Sequence, residues 1–409
     1  MKAIFTALSP NLQSDDVRLA ARLGVSFGDW VNGEAGSSLE SEIRKLTGAT
    51  CAAVFASGRS AMSAALRAAG VQPGDEVLLQ AYTCVAVPDA VLWVQAIPKY
   101  VDIEDDYLMS AKDLQAKITS RARILIVQHT FSSRERVLEL IKIGRGHGLV
   151  IIEDCAHALG SRVKGLQAGM LGDIGVFSFG RDKVLSSVFG GAAITCSQTY
   201  ADKLRIEQGK LVPPPRAWVF QQLMHPLLTW VIRATYDLIV GRILLSLTRK
   251  FKLLSRPVEP QEKRGIPPSF FQYRLSNALA VLAINQLRKL ESFRGHRERI
   301  TRYYDKSLFS DKLIKPILQG ADPAFLRYPI QVAKAKALLA AAARDKIFLG
   351  DWYQQSIAPE GVEYPRVNYD RALCPKSELM TSGSLNLPTH IGITESQAAD
   401  IVKWLLAHI

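Results

Sequence analysis

Two charged side chains near the middle of the chain have the types and spacing to act together in chemistry. Asp154 closes the apolar segment IIED, which indicates a buried strand, and Lys183 lies between FSF and a pair of glycines. Taken alone, Asp154 is as readily a turn former or helix N-cap, and Lys183 an ordinary solvated loop lysine. A carboxylate at the carboxyl end of a strand, however, lies where open α/β sheets bind their ligands.

A third feature gives this pair a chemical meaning. ASGRSAM (56–62) follows a strand-like segment and opens a helix, so Ser57 and Gly58 could form a cup of backbone N–H groups for a phosphate. An enzyme that uses pyridoxal phosphate needs such a cup. It also needs a lysine amine for the Schiff base and a carboxylate that keeps the pyridine nitrogen protonated. The order of cup, Asp154 and Lys183 therefore predicts a pyridoxal phosphate site.

Longer segments support this interpretation and are spread over nearly the whole chain. They read SGRSAM, GDEVLLQAYTCVAV, AIPKYVDI, VIIEDCAHALG, GDIGVFSFGRDK with the following GG, SNALAVLAINQL and LNLPTHIGIT. In these segments the chain resembles the DegT/StrS-type family of pyridoxal phosphate-dependent nucleotide-sugar aminotransferases. The resemblance implies the aspartate-aminotransferase-like α/β fold (fold type I), with a mostly parallel central sheet and a smaller C-terminal α/β domain. It also implies a homodimer.

The resemblance also implies a role for individual residues. Lys183 would form the Schiff base and shuttle the proton, and Asp154 would pair with the pyridinium nitrogen. His157 would lie beside the ring and its phenolic oxygen, although a hydrogen-bonded core histidine is the alternative. The phosphate would be bound by Ser178 and by the cup residues Ser57, Gly58, Arg59 and Ser60.

Three positions depart from the family's usual pattern. Arg59 replaces a small hydroxyl residue, and it would either pair with the phosphate or point away and leave that contact to Ser60. Cys84 replaces the aromatic residue that stacks on the cofactor ring, so stacking is lost or is supplied by Tyr82. Gln272 stands where an asparagine usually reaches the phosphate of the partner subunit, and its amide keeps the donor on a longer arm.

The positioning elements follow from apolar runs that alternate with helical patterns over residues 39–195. Buried runs of four to six residues between helices are typical of a parallel sheet covered on both faces. We therefore predict a large cofactor-binding domain over residues 1–212 with a seven-stranded type of sheet. A basic apolar insertion and linker follow over 213–269, and a linking helix with the small C-terminal domain occupies 270–409.

The formal net charge of +13 favours anionic partners. No nucleic-acid-binding motif is present, so we expect the protein to bind no nucleic acid. Five scattered cysteines without paired spacing indicate reduced thiols and no metal site. The N-terminus lacks the pattern of a secretory signal, and no run of 18 uncharged apolar residues occurs. These features predict a cytoplasmic protein.

Residues 217–255 form a long apolar stretch punctuated by arginine and lysine. One interpretation is extra helices that pack on the domain or in the dimer interface. The other is a peripheral anchor on the anionic inner face of the membrane.

The predicted reaction moves an amino group from an amino acid, Glu by family habit, to a keto-sugar. That sugar is expected to be nucleotide-linked and to serve cell-surface polysaccharide or glycoconjugate biosynthesis. Two alternatives stay open at this stage: a transaminase of a non-sugar ketone, and a membrane-attached sensing or scaffolding protein that kept the fold without turnover.

Overall fold

The computed structural model describes residues 2–26 and 30–409 of the chain. In chain order, the strands of this described part are β1 Ile4–Phe5, β2 Cys51–Phe55, β3 Glu76–Gln80, β4 Thr83–Cys84, β5 Ile97–Val101, β6 Ala122–Gln128, β7 Val150–Asp154, β8 Arg162–Val163, β9 Leu166–Gln167, β10 Ile174–Ser178, β11 Gly191–Thr195, β12 Leu313–Ile314, β13 Arg327–Val332, β14 Ile347–Phe348, β15 Ile357–Ala358 and β16 Ser384–Pro388.

The α-helices alternate with these strands in the first half of the chain and dominate the second half. They are α1 Ser14–Val25, α2 Ala35–Thr47, α3 Gly58–Ala68, α4 Ala86–Leu92, α5 Ala111–Lys117, α6 Val137–Gly146, α7 Gln198–Gly209, α8 Arg216–Thr235, α9 Val240–Lys250, α10 Asn277–Leu287, α11 Leu290–Ser307, α12 Ala335–Arg344, α13 Pro375–Gly383 and α14 Glu395–His408.

A seven-stranded sheet forms the centre of the fold, in the order β2-β11-β10-β7-β6-β3-β5. Neighbouring strands of this sheet pair in parallel, except that β11 is antiparallel to both β10 and β2. Most residues of these strands are buried because helices cover both faces. The predicted α/β fold with a mostly parallel sheet is confirmed.

The carboxyl edge of this sheet collects the polar residues singled out from the sequence. Asp154 ends β7 and is in register with Val176 of β10 and Gln128 of β6. Since β2 and β10 are both antiparallel to β11, they run in the same direction, and β2 therefore also ends at this edge. The helix α3 begins three residues after β2, at Gly58, and so presents its N-terminus at the same edge.

A second core lies in the C-terminal part of the chain. A three-stranded antiparallel sheet, β12-β13-β16, packs its apolar side chains with those of α11, α12 and α14. Two short parallel pairs connect distant parts of the chain: β15 with β4, and β1 with β14. The β15–β4 pair brings the C-terminal part to the edge of the large sheet that carries Asp154.

Residues 217–255 include most of α8 and all of α9. The packing of α8 agrees with the first interpretation of this stretch, in which extra helices pack on the domain. Val219, Leu223 and Ile232 of α8 are buried, and this helix packs against α1. The following helix α9 instead leaves Ile243 and Leu247 exposed. Within residues 2–26 and 30–409, no helix combines the length and apolarity needed to cross a membrane.

Candidate active site

A cavity of about 670 Å³ opens at the carboxyl edge of the large sheet. Its wall is formed by strand ends of the large sheet and by segments of the C-terminal part. Among the sequence-predicted site residues, those that line it are Ser57, Gly58, Arg59, Asp154, His157, Ser178 and Lys183. Ser60, Tyr82 and Gln272 do not line it.

Lys183 follows β10 in a loop whose backbone is fixed from two sides. Its amide N–H donates to the carbonyl of Gly180 at 3.1 Å, and its own carbonyl accepts from the Asn11 side chain at 2.8 Å. Burial lowers the pKa of the Lys183 amine from its ordinary value, while Cys84 and Asp154 oppose that shift. A lysine with a lowered pKa is neutral, and thus nucleophilic, closer to physiological pH.

Asp154 is buried and keeps one carboxylate oxygen free for a ligand. Its Oδ1 accepts from the amide of Ala156 at 3.0 Å, and Oδ2 accepts no hydrogen bond from any residue in the described ranges. Burial raises the pKa of Asp154, and the Ala156 amide and Lys183 oppose this. A buried carboxylate is stabilised when a cationic N–H donor pairs with it, so this group fits a protonated ring nitrogen.

His157 is a neutral, oriented ring. Its Nδ1 accepts from the amide of Phe131 at 3.3 Å, which leaves the proton on Nε2, 3.3 Å from the hydroxyl of Tyr353. Burial lowers the pKa of His157 well below its ordinary value, helped by the nearby charge of Lys183. The His157 ring stacks on Trp352 with centroids 5.0 Å apart and planes 10° apart, so it is a wall of the cavity and not merely a core residue.

The predicted phosphate cup has the geometry of a capped helix N-terminus. The Ser57 hydroxyl accepts from the Ser60 amide at 3.1 Å and lies 2.9 Å from the Ser60 hydroxyl. A Cβ on Gly58 would lie 2.8 Å from the Cβ of Ser178, and one on Gly191 would lie 2.6 Å from the Gly58 nitrogen. Only small residues fit here, and the resulting space at a helix N-terminus suits a phosphate. Ser60 shapes this cup from behind, through Ser57.

Arg59 does not turn its guanidinium into the cup. It forms an ion pair with the fully buried Glu262, donates to the carbonyl of Pro257, and lies over the Phe270 ring at 4.9 Å. Of the two alternatives raised by the sequence, this placement favours the one in which Arg59 points away from the phosphate.

Tyr82 cannot supply the stacking ring, because it lies fully buried behind the cavity wall. Its hydroxyl lies 2.7 Å from that of Ser384 and accepts from the amide of Tyr353 at 3.1 Å. That prediction is wrong, because the Tyr82 ring packs against Tyr107, Phe131 and Tyr353 and Tyr82 does not line the cavity. Trp352 lines the cavity together with Phe177, Phe189 and Tyr353, and no local sequence pattern connects it to the motifs around Lys183.

Gln272 lies at the end of a short 3₁₀ helix, outside the cavity of its own chain. Its carbonyl accepts from the Val212 amide at 2.9 Å. Its predicted contact with the phosphate of a partner subunit stays a prediction.

Three potential metal ligands, His129, Glu153 and Cys155, lie within 4.8 Å of one another in the described part of the chain. Glu153 already accepts from His129 at 2.8 Å and from the amides of Gly169, Leu171 and Gly172. Because these donors satisfy both oxygens, Glu153 serves to hold the 169–172 loop against β7.

Comparison with known proteins gives a family match over most of the chain. A family model described as the DegT/DnrJ/EryC1/StrS aminotransferase family matches residues 15–213 and 248–406. The unmatched residues between these ranges cover α8 and most of α9.

The names of the curated relatives include two aminotransferases and the synthase of a nucleotide-linked sugar. A UDP-N-acetyl-3-dehydro-alpha-D-glucosamine 3-aminotransferase of Acidithiobacillus ferrooxidans is 37% identical over 178 residues, 43% of this chain and 48% of that protein. A GDP-perosamine synthase of Caulobacter vibrioides is 25% identical over 357 residues, 85% of this chain and 83% of that protein. An L-glutamine:2-deoxy-scyllo-inosose aminotransferase of Streptomyces kanamyceticus is 38% identical over 149 residues, 36% of this chain and 35% of that protein. The chain thus spans less than half the length of the first and third of these.

Solved structures share the fold along the entire chain. A DegT DnrJ EryC1 StrS aminotransferase from Brucella abortus superposes with a TM-score of 0.72 at 22% identity, over 96% of this chain and 95% of that one. The aminotransferase TlmJ from Streptoalloteichus hindustanus superposes with a TM-score of 0.75 at 18% identity, over 100% of this chain and 98% of that one.

Proposed function

Because the chain belongs to the DegT/DnrJ/EryC1/StrS aminotransferase family, we propose that it moves an amino group from an amino acid to a nucleotide-linked keto-sugar. Pyridoxal phosphate is the proposed cofactor, and cell-surface polysaccharide or glycoconjugate biosynthesis the proposed setting. The observation that carries the proposal is the single cavity that brings together Lys183, Asp154, His157 and the N-terminus of α3.

Each of three cavity residues has a separate proposed role in amino transfer. When bound, pyridoxal phosphate supplies an aldehyde that carries the amino group and a ring that accepts electrons. Lys183 would hold it through Nζ and would then move the proton that the transfer requires. The free Oδ2 of Asp154 would hold a proton at the ring nitrogen. The neutral His157 would orient the ring from the side.

Anion binding in this site comes from backbone and hydroxyl groups. The N-terminus of α3 offers amides that no preceding helical turn occupies, and Ser57 and Ser178 flank them. Gly58 keeps the approach open, since a Cβ there would collide with Ser178. We propose that these groups hold the cofactor phosphate, while Arg59 supports the site through its contact with Glu262.

A nucleotide-linked acceptor is supported by charge and by the relatives. Among the described residues that line the cavity, seven are arginine or lysine and four are aspartate or glutamate. A site with excess positive charge attracts a substrate that carries a diphosphate. Two of the relatives carry a UDP-sugar or a GDP-sugar in their names.

A second candidate substrate is a keto-cyclitol, with glutamine as the amino donor. It is favoured by the relatives named L-glutamine:2-deoxy-scyllo-inosose aminotransferase. A scaffolding protein without turnover is not favoured, because the relatives are named for amino transfer and Lys183, Asp154 and His157 lie together in the cavity.

Two half-reactions test the proposal separately. The protein loaded with pyridoxal phosphate is first treated with glutamate or glutamine, and the loss of the visible band of the lysine-bound cofactor is followed. The aminated form is then offered UDP- and GDP-linked keto-sugars, scyllo-inosose and simple keto acids, and products are identified by mass spectrometry. Recovery of the band with keto acids alone would refute the sugar assignment.

We also propose that the protein is cytoplasmic and binds the inner membrane face through α9 and its flanks. Large apolar residues are exposed there: Leu238, Ile239, Val240, Ile243, Leu247, Phe251 and Leu253. Arg242, Arg249, Lys250 and Lys252 lie between them, and the sequence from 238 to 258 contains no acidic residue. Apolar side chains among cations suit a surface of anionic lipids.

A second copy of the chain is less suited than a membrane to cover the exposed surface of α9 and its flanks. A two-fold contact would place the same cations opposite one another, which costs free energy. The proposed homodimer therefore uses another surface, and Gln272 of each chain is proposed to reach the cofactor phosphate of its partner.

A further inference from the structure

A segment shortly after α9 forms part of the cavity wall. We call residues 255–262 the strap. Ser255 accepts from the guanidinium of Arg181 with both its carbonyl and its hydroxyl, the latter at 2.8 Å. At the other end, Glu262 pairs with Arg59, which also donates to the carbonyl of Pro257 at 3.2 Å.

These two arginines tie the strap to the cofactor site. Arg181 is two residues before Lys183, and Arg59 directly follows Gly58. Arg181 is buried, and burial lowers its pKa to about 10. Glu262 is fully buried and also accepts from the amide of Glu259 at 2.7 Å. Since a buried charged group is costly to leave without hydrogen-bond partners, both contacts hold the strap in one position.

The strap presents one arginine to the cavity. Arg256 lines the cavity with an exposed side chain, and no carboxylate in the described ranges forms an ion pair with it. Lys336, from the C-terminal part of the wall, is 81% exposed. Its partner Glu360 lies 3.5 Å away and is 86% exposed. Because such an exposed ion pair contributes little free energy, Lys336 can exchange Glu360 for another anion.

We propose that Arg256 binds the diphosphate of the nucleotide-linked substrate, with Lys336 as a second cationic contact. This inference rests on the proposed function. A guanidinium on a fixed backbone can donate two parallel hydrogen bonds to a phosphate. Because the strap is tied next to Lys183, the position of Arg256 fixes how far the diphosphate lies from the reacting carbon. Arg59 and Arg181 are positioning residues for this contact.

The test measures binding of UDP and GDP to the protein loaded with pyridoxal phosphate, by calorimetry. We expect Arg256→Ala to raise Kd for the preferred nucleotide about tenfold, the loss of one charge-assisted contact, and Arg256→Lys to lie between. Arg264→Ala is the matched control, because Arg264 is exposed and nearby but does not line the cavity; its Kd should equal that of the wild type.

Kinetics separate this inference from the proposed function. In Arg256→Ala, KM for the nucleotide-linked sugar should rise with kcat nearly unchanged, and the half-reaction with the amino donor should keep its rate. An unchanged Kd and KM in Arg256→Ala, or a wild type that binds neither nucleotide, would overturn the inference while turnover of such sugars still supports the proposed function. A wild type that aminates no nucleotide-linked sugar would overturn the proposed function itself.

Discussion

The Nζ atom of Lys183 lies 4.9 Å from the centre of the Trp352 ring, whose face also receives the guanidinium of Arg327 at 3.5 Å. The backbone of Trp352 is held by Asn386, which accepts from its amide at 3.0 Å and donates to its carbonyl at 2.6 Å. The C-terminal part therefore contributes an aromatic wall to the cavity in a chain that has Cys84 where a ring is usual.

Trp352 should report cofactor binding. We expect addition of pyridoxal phosphate to the apoprotein to quench tryptophan emission, since Trp352 lies beside Nζ of Lys183, the atom proposed to bind the cofactor. In Trp352→Phe most of this quenching should be lost while binding, measured by dialysis, persists. Trp230→Phe is the control, because Trp230 is exposed on α8 outside the cavity. Equal quenching in the two variants would show that Trp352 is not near the bound cofactor.

The sequence predicted the parts of the site that lie on strand ends. Apolar runs are local, so they revealed β7 and β10 and placed Asp154 at the carboxyl edge of the sheet, whereas Ser178 was singled out only by the family resemblance. Trp352 was missed because only the long-range β15–β4 pairing and the C-terminal core bring it to Lys183. For the same reason, the partner of Arg59 could not be predicted, since Glu262 is far from it in sequence.

Asp89 should make stability depend on pH. It is fully buried, neither of its carboxylate oxygens has a partner in the described residues, and burial raises its pKa to about 9. Its folded pKa therefore exceeds its unfolded one, so the protein loses stability as pH rises towards 9, by about 1.4 kcal/mol per unit from this group. Urea unfolding at pH 5, 6.5 and 8 should show this slope in the wild type relative to Asp89→Asn. A constant difference between the two proteins would contradict it.

The ion pair of Arg59 and Glu262 should matter for stability more than for phosphate binding. Arg59→Ala leaves Glu262 buried without its partner, so the free energy of unfolding of the apoprotein should fall by about 3–5 kcal/mol. Lys45→Ala, which breaks the exposed pair with Glu42, should cost less than about 1 kcal/mol. If Arg59 instead binds the phosphate, apoprotein stability stays unchanged and only the affinity for pyridoxal phosphate falls.

The α9 surface should bind anionic vesicles. We expect co-sedimentation with phosphatidylglycerol vesicles, weak binding to phosphatidylcholine, and a decline with added salt. Replacing Arg249 and Lys250 by alanine should cost about 2 kcal/mol of binding free energy. Leu166→Ser, at an exposed site remote in sequence, should bind as the wild type does, whereas Leu247→Ser should bind less. Equal binding to both kinds of vesicle would refute the role of the cations, and binding to neither would refute the membrane contact.

The central claim is that Lys183 carries the cofactor, and the visible absorption spectrum tests it most directly. The wild-type protein incubated with pyridoxal phosphate and freed of excess should show the band of a lysine-bound cofactor, and an amino donor should abolish it. Borohydride reduction followed by peptide mass spectrometry should place the label on Lys183. Lys183→Ala should show neither the band nor the label. A band that persists in Lys183→Ala, or a label on another lysine, would contradict the account.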